Sequence, residues 1–149
     1  GISHCPTSNL FIGSGLFDLA GLRQTATPIP VGLGTDVGGG SSFSMLATMR
    51  AAYEIAQLRG NSVHPARAFW LATQGSARVL RMADRIGNLA PGYEADIAVL
   101  DLNSTPLIAQ RAARAKSISD TLFVLMILGD DRAIAATYAA GRLVHHRGE

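Results

Sequence analysis

Cysteine is nearly missing from this 149-residue chain: Cys5 stands alone, so no internal disulfide can form. A lone thiol fits a reducing compartment, and the cytoplasm is the expected location. A strong charge of one sign is missing as well. The net charge of +2 rests mostly on arginines scattered among acidic residues, which leaves out the clustered positive surface that nucleic acid requires. Long hydrophobic runs are absent too. The longest, Leu122 to Leu128, falls far short of the ~20 residues of a membrane span. The first residues carry neither the basic-then-apolar pattern of a secretory signal nor a transit peptide. There is no internal repeat and no low-complexity tract. What the chain does have is apolar residues, 48% of the total, enough for one soluble domain with a substantial core.

The most informative stretch runs from Val31 to Gly40, a short apolar strand that ends on an acidic residue and opens into a glycine-rich turn. Aspartate is a poor strand former, so Asp36 needs a reason for its place. Period-two alternation puts Val31, Leu33 and Thr35 on one face and Gly32, Gly34 and Asp36 on the other. That pattern suits a parallel strand lining a barrel: the bulky side packs on outer helices, the glycines leave room near the axis, and the carboxylate sits at the C-terminal mouth where barrel enzymes place their chemistry.

The surrounding sequence reads as α/β. Gly1 to Asn9 is expected to form a short strand that breaks at Cys5-Pro6, then passes through Thr7-Ser8-Asn9 into a Gly13-Ser14-Gly15 turn. Leu16 to Arg23 reads as a short helix, and the Pro28 and Pro30 bracket delivers the Val31 strand. Ser41 and Ser42 are candidate N-caps for a helix with Met45, Met49, Ala52, Tyr53 and Ala56 on its apolar face, ended by Gly60. Pro65 starts a second helix through Phe69, Ala72 and Leu80. Composition changes near Ile86-Gly87, which predicts a boundary dividing the chain into 1–86 and 87–149. The second part holds a strand from Ala95 to Leu102 and a helix over Thr121 to Leu128 behind a Ser117/Asp120 capping box. It closes on a hairpin, Ala135 to Ala139 with Arg142 to His146, turning at Ala140-Gly141.

Each chemical candidate has a plain structural alternative. Asp36 is either a reactive or metal-binding carboxylate or a turn aspartate beside glycines. His4, at a strand end, is read first as a hydrogen-bonded structural residue. Cys5 is followed at once by proline and is a poor nucleophile candidate. The Gly38 to Ser41 loop lacks a phosphate-loop lysine and reads as a tight turn. His145 and His146 read as a solvated edge, and Met45 and Met49 as core. No metal site is complete within these residues, and the strands are too few to close a barrel, so the chain reads as the end of something longer. The helix from Thr121 to Leu128 is apolar all round. Since burying one Leu, Phe or Met side chain is worth roughly 1.5–3 kcal/mol, part of it should lie at or near the subunit interface of a homodimer or larger assembly, or else between a barrel and a small domain.

Two linked motifs bring in a family resemblance that covers nearly the whole chain. Ser3-His4-Cys5-Pro6-Thr7-Ser8-Asn9, with Gly13-Ser14-Gly15 after it, resembles the seventh-strand motif of amidohydrolase-superfamily deaminases, and Val31 to Gly39 resembles their eighth-strand Gly-Thr-Asp motif. The segment from Ser117 to Arg132, with Tyr138 and Gly141-Arg142-Leu143-Val144, is similar to the C-terminal end of bacterial guanine deaminases. The resemblance implies the C-terminal part of a (β/α)8 TIM-type barrel, strands seven and eight with their helices (1–86), plus strands of a small β-sandwich domain (87–149).

The implied reaction is zinc-dependent hydrolysis of guanine to xanthine and ammonia, with one zinc ion in a complete site. Asp36 matches the eighth-strand metal ligand; it would contact substrate, take the proton of the attacking water and return it to the departing amine, which leaves only when protonated. Ser8 and Asn9, expected on the loop after the seventh strand, are candidate substrate-binding residues. The family's other metal histidines and its ring-protonating glutamate are absent, and His4 is not one of them. One carboxylate cannot hold a catalytic zinc, so the 149 residues alone are expected to be inactive and metal-free. The alternatives are an aminohydrolase acting on another purine, pterin or triazine, and a non-catalytic self-associating module.

Overall fold

A computed structural model of the chain describes residues 1–24 and 26–148. Two short strands, β1 (Ile2–His4) and β2 (Val31–Leu33), pair in parallel with Ile2 opposite Val31, Ser3 opposite Gly32 and His4 opposite Leu33. Between them run a helix, α1 (Pro6–Ile12), and a single 3-10 turn over Gly21–Gln24. Parallel strands need a crossover, and this strand, helix, strand order supplies one.

Two expectations for this region are corrected. Thr7, Ser8 and Asn9 are helical, because Pro6 does not break the chain but occupies the first turn of α1, where a missing N–H costs nothing. The helix expected over Leu16 to Arg23 is reduced to the 3-10 turn, into which Asp18 accepts a hydrogen bond from Gly21 N at 2.9 Å.

After β2 comes α2 (Met45–Leu58), capped by Ser44 and not by Ser41 or Ser42: Ser44 Oγ accepts from Ala47 N at 3.2 Å, while Ser42 Oγ accepts from Ser44 N at 3.0 Å. Met49, Ala52 and Ala56 are buried as the spacing predicts, Met45 and Tyr53 are half-buried, and Ile55, outside the predicted face, is buried too. The second helix starts at Pro65 as expected. It consists of α3 (Pro65–Trp70), a π turn over Leu71–Gly75, and α4 (Ser76–Val79).

The remainder forms an antiparallel sheet in the order β3-β4-β5, from β3 (Ile97–Leu100), β4 (Ile134–Ala139) and β5 (Arg142–His146). The strand expected over Ala95 to Leu102 is thus shorter than its apolar run. The hairpin turns where expected, with Ala140 and Gly141 both at positive φ (48° and 77°), as a two-residue turn of this twist demands. His145 and His146 lie exposed on the edge strand β5.

Before β4 lie α5 (Pro106–Ala112) and α6 (Ile118–Leu128), the latter capped by Ser117 Oγ on Asp120 N at 3.1 Å. The apolar helix α6 packs on α2, α3 and α5. Val124, Leu125 and Met126 are buried, and Phe123 meets Tyr53 edge-on at 5.5 Å between ring centres. Leu122, Phe123, Ile127 and Leu128 are half-buried and Ile118 is 72% exposed, so part of its apolar surface stays uncovered by the described residues. No helix among the described residues is long and apolar enough to cross a membrane.

His4 belongs to this interior. It is 2% exposed, its ring stacks on Phe17 at 4.6 Å between centres, and its Nδ1 has no hydrogen-bond partner among the described residues. Stacking, and not the hydrogen bonding expected of it, holds the ring. Burial lowers the His4 pKa from 6.5 to about 4. Between those values the unfolded chain binds the extra proton, so stability from this group is complete above pH 6.5 and is lost as the pH falls toward 4. His4→Phe keeps the stack and removes the titration. Urea unfolding should show the wild type weakening more than the variant from pH 6.5 to 4, the loss common to both coming near pH 4 from aspartates with lowered pKa values such as Asp18 and Asp130; parallel losses throughout would contradict the assignment.

Candidate active site

The C-terminal ends of parallel strands are where backbone direction changes and side chains converge, and both sequence motifs fall there. Beyond Leu33 the chain continues as an extension of β2, with Gly34 N donating to His4 O at 3.0 Å. The first turn of α1 braces that extension: Thr7 Oγ1 donates to Thr35 O at 3.4 Å, and Ser8 Oγ donates to Asp36 Oδ2 at 2.7 Å. Ser8 is only 1% exposed, whereas Asp36 is exposed. A buried hydroxyl thus fixes one oxygen of a solvent-facing carboxylate. The other oxygen, Oδ1, carries no hydrogen bond among the described residues.

Local backbone geometry explains the glycines that follow. Asp36 adopts a left-handed conformation with φ of 47°, uncommon for a residue with a side chain but best tolerated by Asp and Asn. The turn closes with Gly40 N donating to Asp36 O at 2.5 Å. A Cβ on Gly40 would lie 2.3 Å from Thr35 O, and one on Gly39 would lie 3.1 Å from both Asp36 Oδ2 and Ser8 Oγ. Two bare positions therefore let the loop fold back beside the carboxylate–hydroxyl pair without touching it. Thr7 and Gly39 lie within the quoted motifs but were not singled out as site residues, because a small polar residue and a glycine in a turn carry ordinary local explanations.

The structure brings Ser8 and Asp36 together but not Asn9. Asn9 closes the end of α1: its backbone oxygen accepts from Gly13 and Ser14 amides, and its Oδ1 accepts from Ser14 Oγ at 3.3 Å. Cys5 donates weakly to Ser3 O at 3.6 Å. Among the described residues no three His, Cys, Asp or Glu side chains converge on one point. The chemistry available is that of one oriented carboxylate: an anionic oxygen free to bind a cation or take a proton.

The sequence model of the amidohydrolase family matches residues 1–144. The chain belongs to the amidohydrolase family. The guanine deaminase of Escherichia coli K12 is 49% identical over 146 residues, a match that takes in 98% of this chain and 33% of that protein. The solved structure of E. coli guanine deaminase superimposes with a TM-score of 0.94 at 48% identity, over 99% of this chain and 34% of that one. A neighbour at 25% identity is the crystal structure of an adenosine deaminase from Xanthomonas campestris with bound zinc, with a TM-score of 0.74 over 95% of this chain and 31% of that one. The chain thus spans about a third of the length of the relatives it matches. An amidohydrolase fold supplies the setting for the Ser8–Asp36 pair.

Ser8→Ala removes the donor without adding bulk. If Asp36 is a reacting carboxylate in an active polypeptide that includes these residues, turnover there should fall roughly tenfold or more through misplacement of the carboxylate. Stability should fall only by about 1 kcal/mol, since a single hydrogen bond is lost. Steady-state kinetics beside thermal unfolding separate the two; unchanged turnover would remove Ser8 from the site.

Proposed function

We propose that this chain forms the C-terminal part of a zinc-dependent guanine deaminase. In this reading β1 and β2 are strands seven and eight of a TIM-type barrel, residues 1–86 complete that barrel, and residues 87–149 contribute to a small β-sandwich domain. The observation that carries it is the oriented Asp36 carboxylate at the C-terminal end of parallel strands, in a chain 49% identical to a guanine deaminase. The enzyme hydrolyses guanine to xanthine and ammonia.

The carboxylate suits zinc as one ligand: Oδ2 is held by Ser8, and the free, solvent-facing Oδ1 is a hard anionic donor. Among the described residues no cluster of three donors forms, so in this reading the other ligands come from the rest of the polypeptide. Zinc at a catalytic site supplies an acidified water, with a pKa lowered to about 7. Asp36 accepts the proton of the attacking water and returns it to the departing amine. Ser8 keeps the carboxylate aimed during both transfers. Asn9 enters the same reading as a residue of the pocket rim, through its hold on the end of α1.

The unpaired Cys5 supports a cytoplasmic setting. Exposed Phe11, Ile12 and Phe43 support burial against further protein, first the remaining two thirds of the polypeptide and then a second copy in a homodimer. A second reading, an aminohydrolase of another purine, pterin or triazine, is favoured by the adenosine deaminase neighbour.

The test is the full-length polypeptide supplied with guanine, adenosine, a pterin and a triazine, with xanthine and ammonia measured. Guanine should be turned over in preference to the rest. Asp36→Asn keeps the shape and one ligand oxygen but loses the charge, so activity should fall about 100-fold or more and further than bound zinc does. Wild-type turnover in that variant would overturn the role of Asp36; preference for another substrate would select the second reading.

A further inference from the structure

The two arms of the site part at His4. Its backbone oxygen accepts from Gly34 N at 3.0 Å, which ties down the extension of β2 that leads to Asp36. Its own chain runs on through Cys5, at the N-cap of α1, into the helical turn that carries Ser8. Cys5 O accepts from Asn9 N at 2.9 Å and closes that turn. The donor and the acceptor of the 2.7 Å Ser8–Asp36 bond therefore both leave from one residue, the first along the chain and the second across the sheet.

The ring of His4 decides where that residue stands. It lies opposite Leu33, which is buried, and a side chain of a strand stands on the face of the sheet and not at its edge. Phe17 closes over the ring in a near-parallel stack, with 24° between planes and 4.6 Å between centres. On the other side the ring shares the wall of a cavity of about 200 Å³ with Ala52, Ile55 and Ala56 of α2. With the residue 2% exposed, its seat is already built by this chain, and strands added at either edge of the β1–β2 pair would meet backbone groups, not this face. Phe17 also follows α1 in sequence: the chain leaves His4, forms α1, turns at Gly13 and comes back to lay Phe17 on the ring it left. The stack thus closes the segment over residues 5–16, the one that presents Thr7 and Ser8 to the β2 extension.

We infer that His4 and Phe17 are positioning residues for the Ser8–Asp36 pair: their stack closes the segment that carries Ser8 and seats the residue to which the strand of Asp36 is bonded. The inference rests on the reading of Asp36 as the reacting carboxylate. Ser8 aims the carboxylate, and the stack sets where Ser8 and the β2 extension stand relative to each other.

The experiment uses the full-length polypeptide as wild type, His4→Ala, Phe17→Leu and His4→Phe, with kcat counted per folded molecule. His4→Ala and Phe17→Leu each remove the stack, and each should lower kcat roughly tenfold with KM for guanine within about twofold, since misplacement acts on the transition state more than on binding. The double variant should be no worse than either alone, because one contact is lost in all three. His4→Phe keeps two stacked rings and should hold kcat within about threefold of wild type. Hydrogen exchange should show the Asn9 and Gly34 amides losing protection in Phe17→Leu while β4 keeps its own. Should His4→Ala fail to fold, Phe17→Leu and His4→Phe carry the test. Unchanged kcat in Phe17→Leu, a His4→Phe as impaired as Phe17→Leu, or protection lost over the whole chain would overturn the inference, while wild-type activity leaves the proposed function standing. Should the wild type fail to turn over guanine, the proposed function falls, and the exchange pattern alone decides: selective loss at Asn9 and Gly34 upholds the hold of the stack on both arms, and unchanged protection there removes it.

Discussion

The 2.7 Å hydrogen bond from Ser8 to Asp36 depends on β1 and β2 being parallel and in register. Because His4 lies opposite Leu33, the first turn of α1 and the extension of β2 leave the sheet side by side, and the Thr7 and Ser8 hydroxyls reach Thr35 and Asp36 in turn. A one-residue slip would exchange the faces and separate the pair. The bare glycines at 39 and 40, the left-handed backbone at Asp36 and the burial of Ser8 all follow from keeping that contact in a turn this tight.

Part of this was legible in the residues. An acidic residue after an apolar run and before a glycine run has few explanations, but the strand expected to end on Asp36 stops at Leu33, and Asp36 stands three residues beyond it in a left-handed turn. The helices from Met45 and from Pro65 follow from apolar spacing and from proline at a first turn, and the Ala140-Gly141 turn follows from its two flanking runs. What misled was local ambiguity. Pro6 after Cys5 reads equally as a break or as a helix start, and small polar residues such as Thr7, Ser8 and Asn9 suit turns and first helical turns alike. Three serines before α2 could each cap it, and only the backbone path selects Ser44.

Other features depend on contacts between distant segments and leave no local trace. Ser76 lies 43 residues from Leu33 in sequence, and a Gly-Ser pair inside a helical pattern does not reveal that it faces a strand edge. The same holds for Gly32, whose missing side chain admits a helix, and for α6, which packs on three helices of its own chain. The motifs pointed to a family and to one carboxylate; the geometry adds the Ser8 hydroxyl that holds that carboxylate.

The central claim is that Asp36 presents a held carboxylate to a zinc ion. Diffraction from crystals of the full-length polypeptide grown with zinc, recorded at the zinc absorption edge, tests it directly. The account predicts an anomalous peak about 2.0–2.2 Å from a carboxylate oxygen of Asp36, with Ser8 still bonded to the other oxygen. Zinc bound elsewhere, with Asp36 outside its coordination shell, would contradict it.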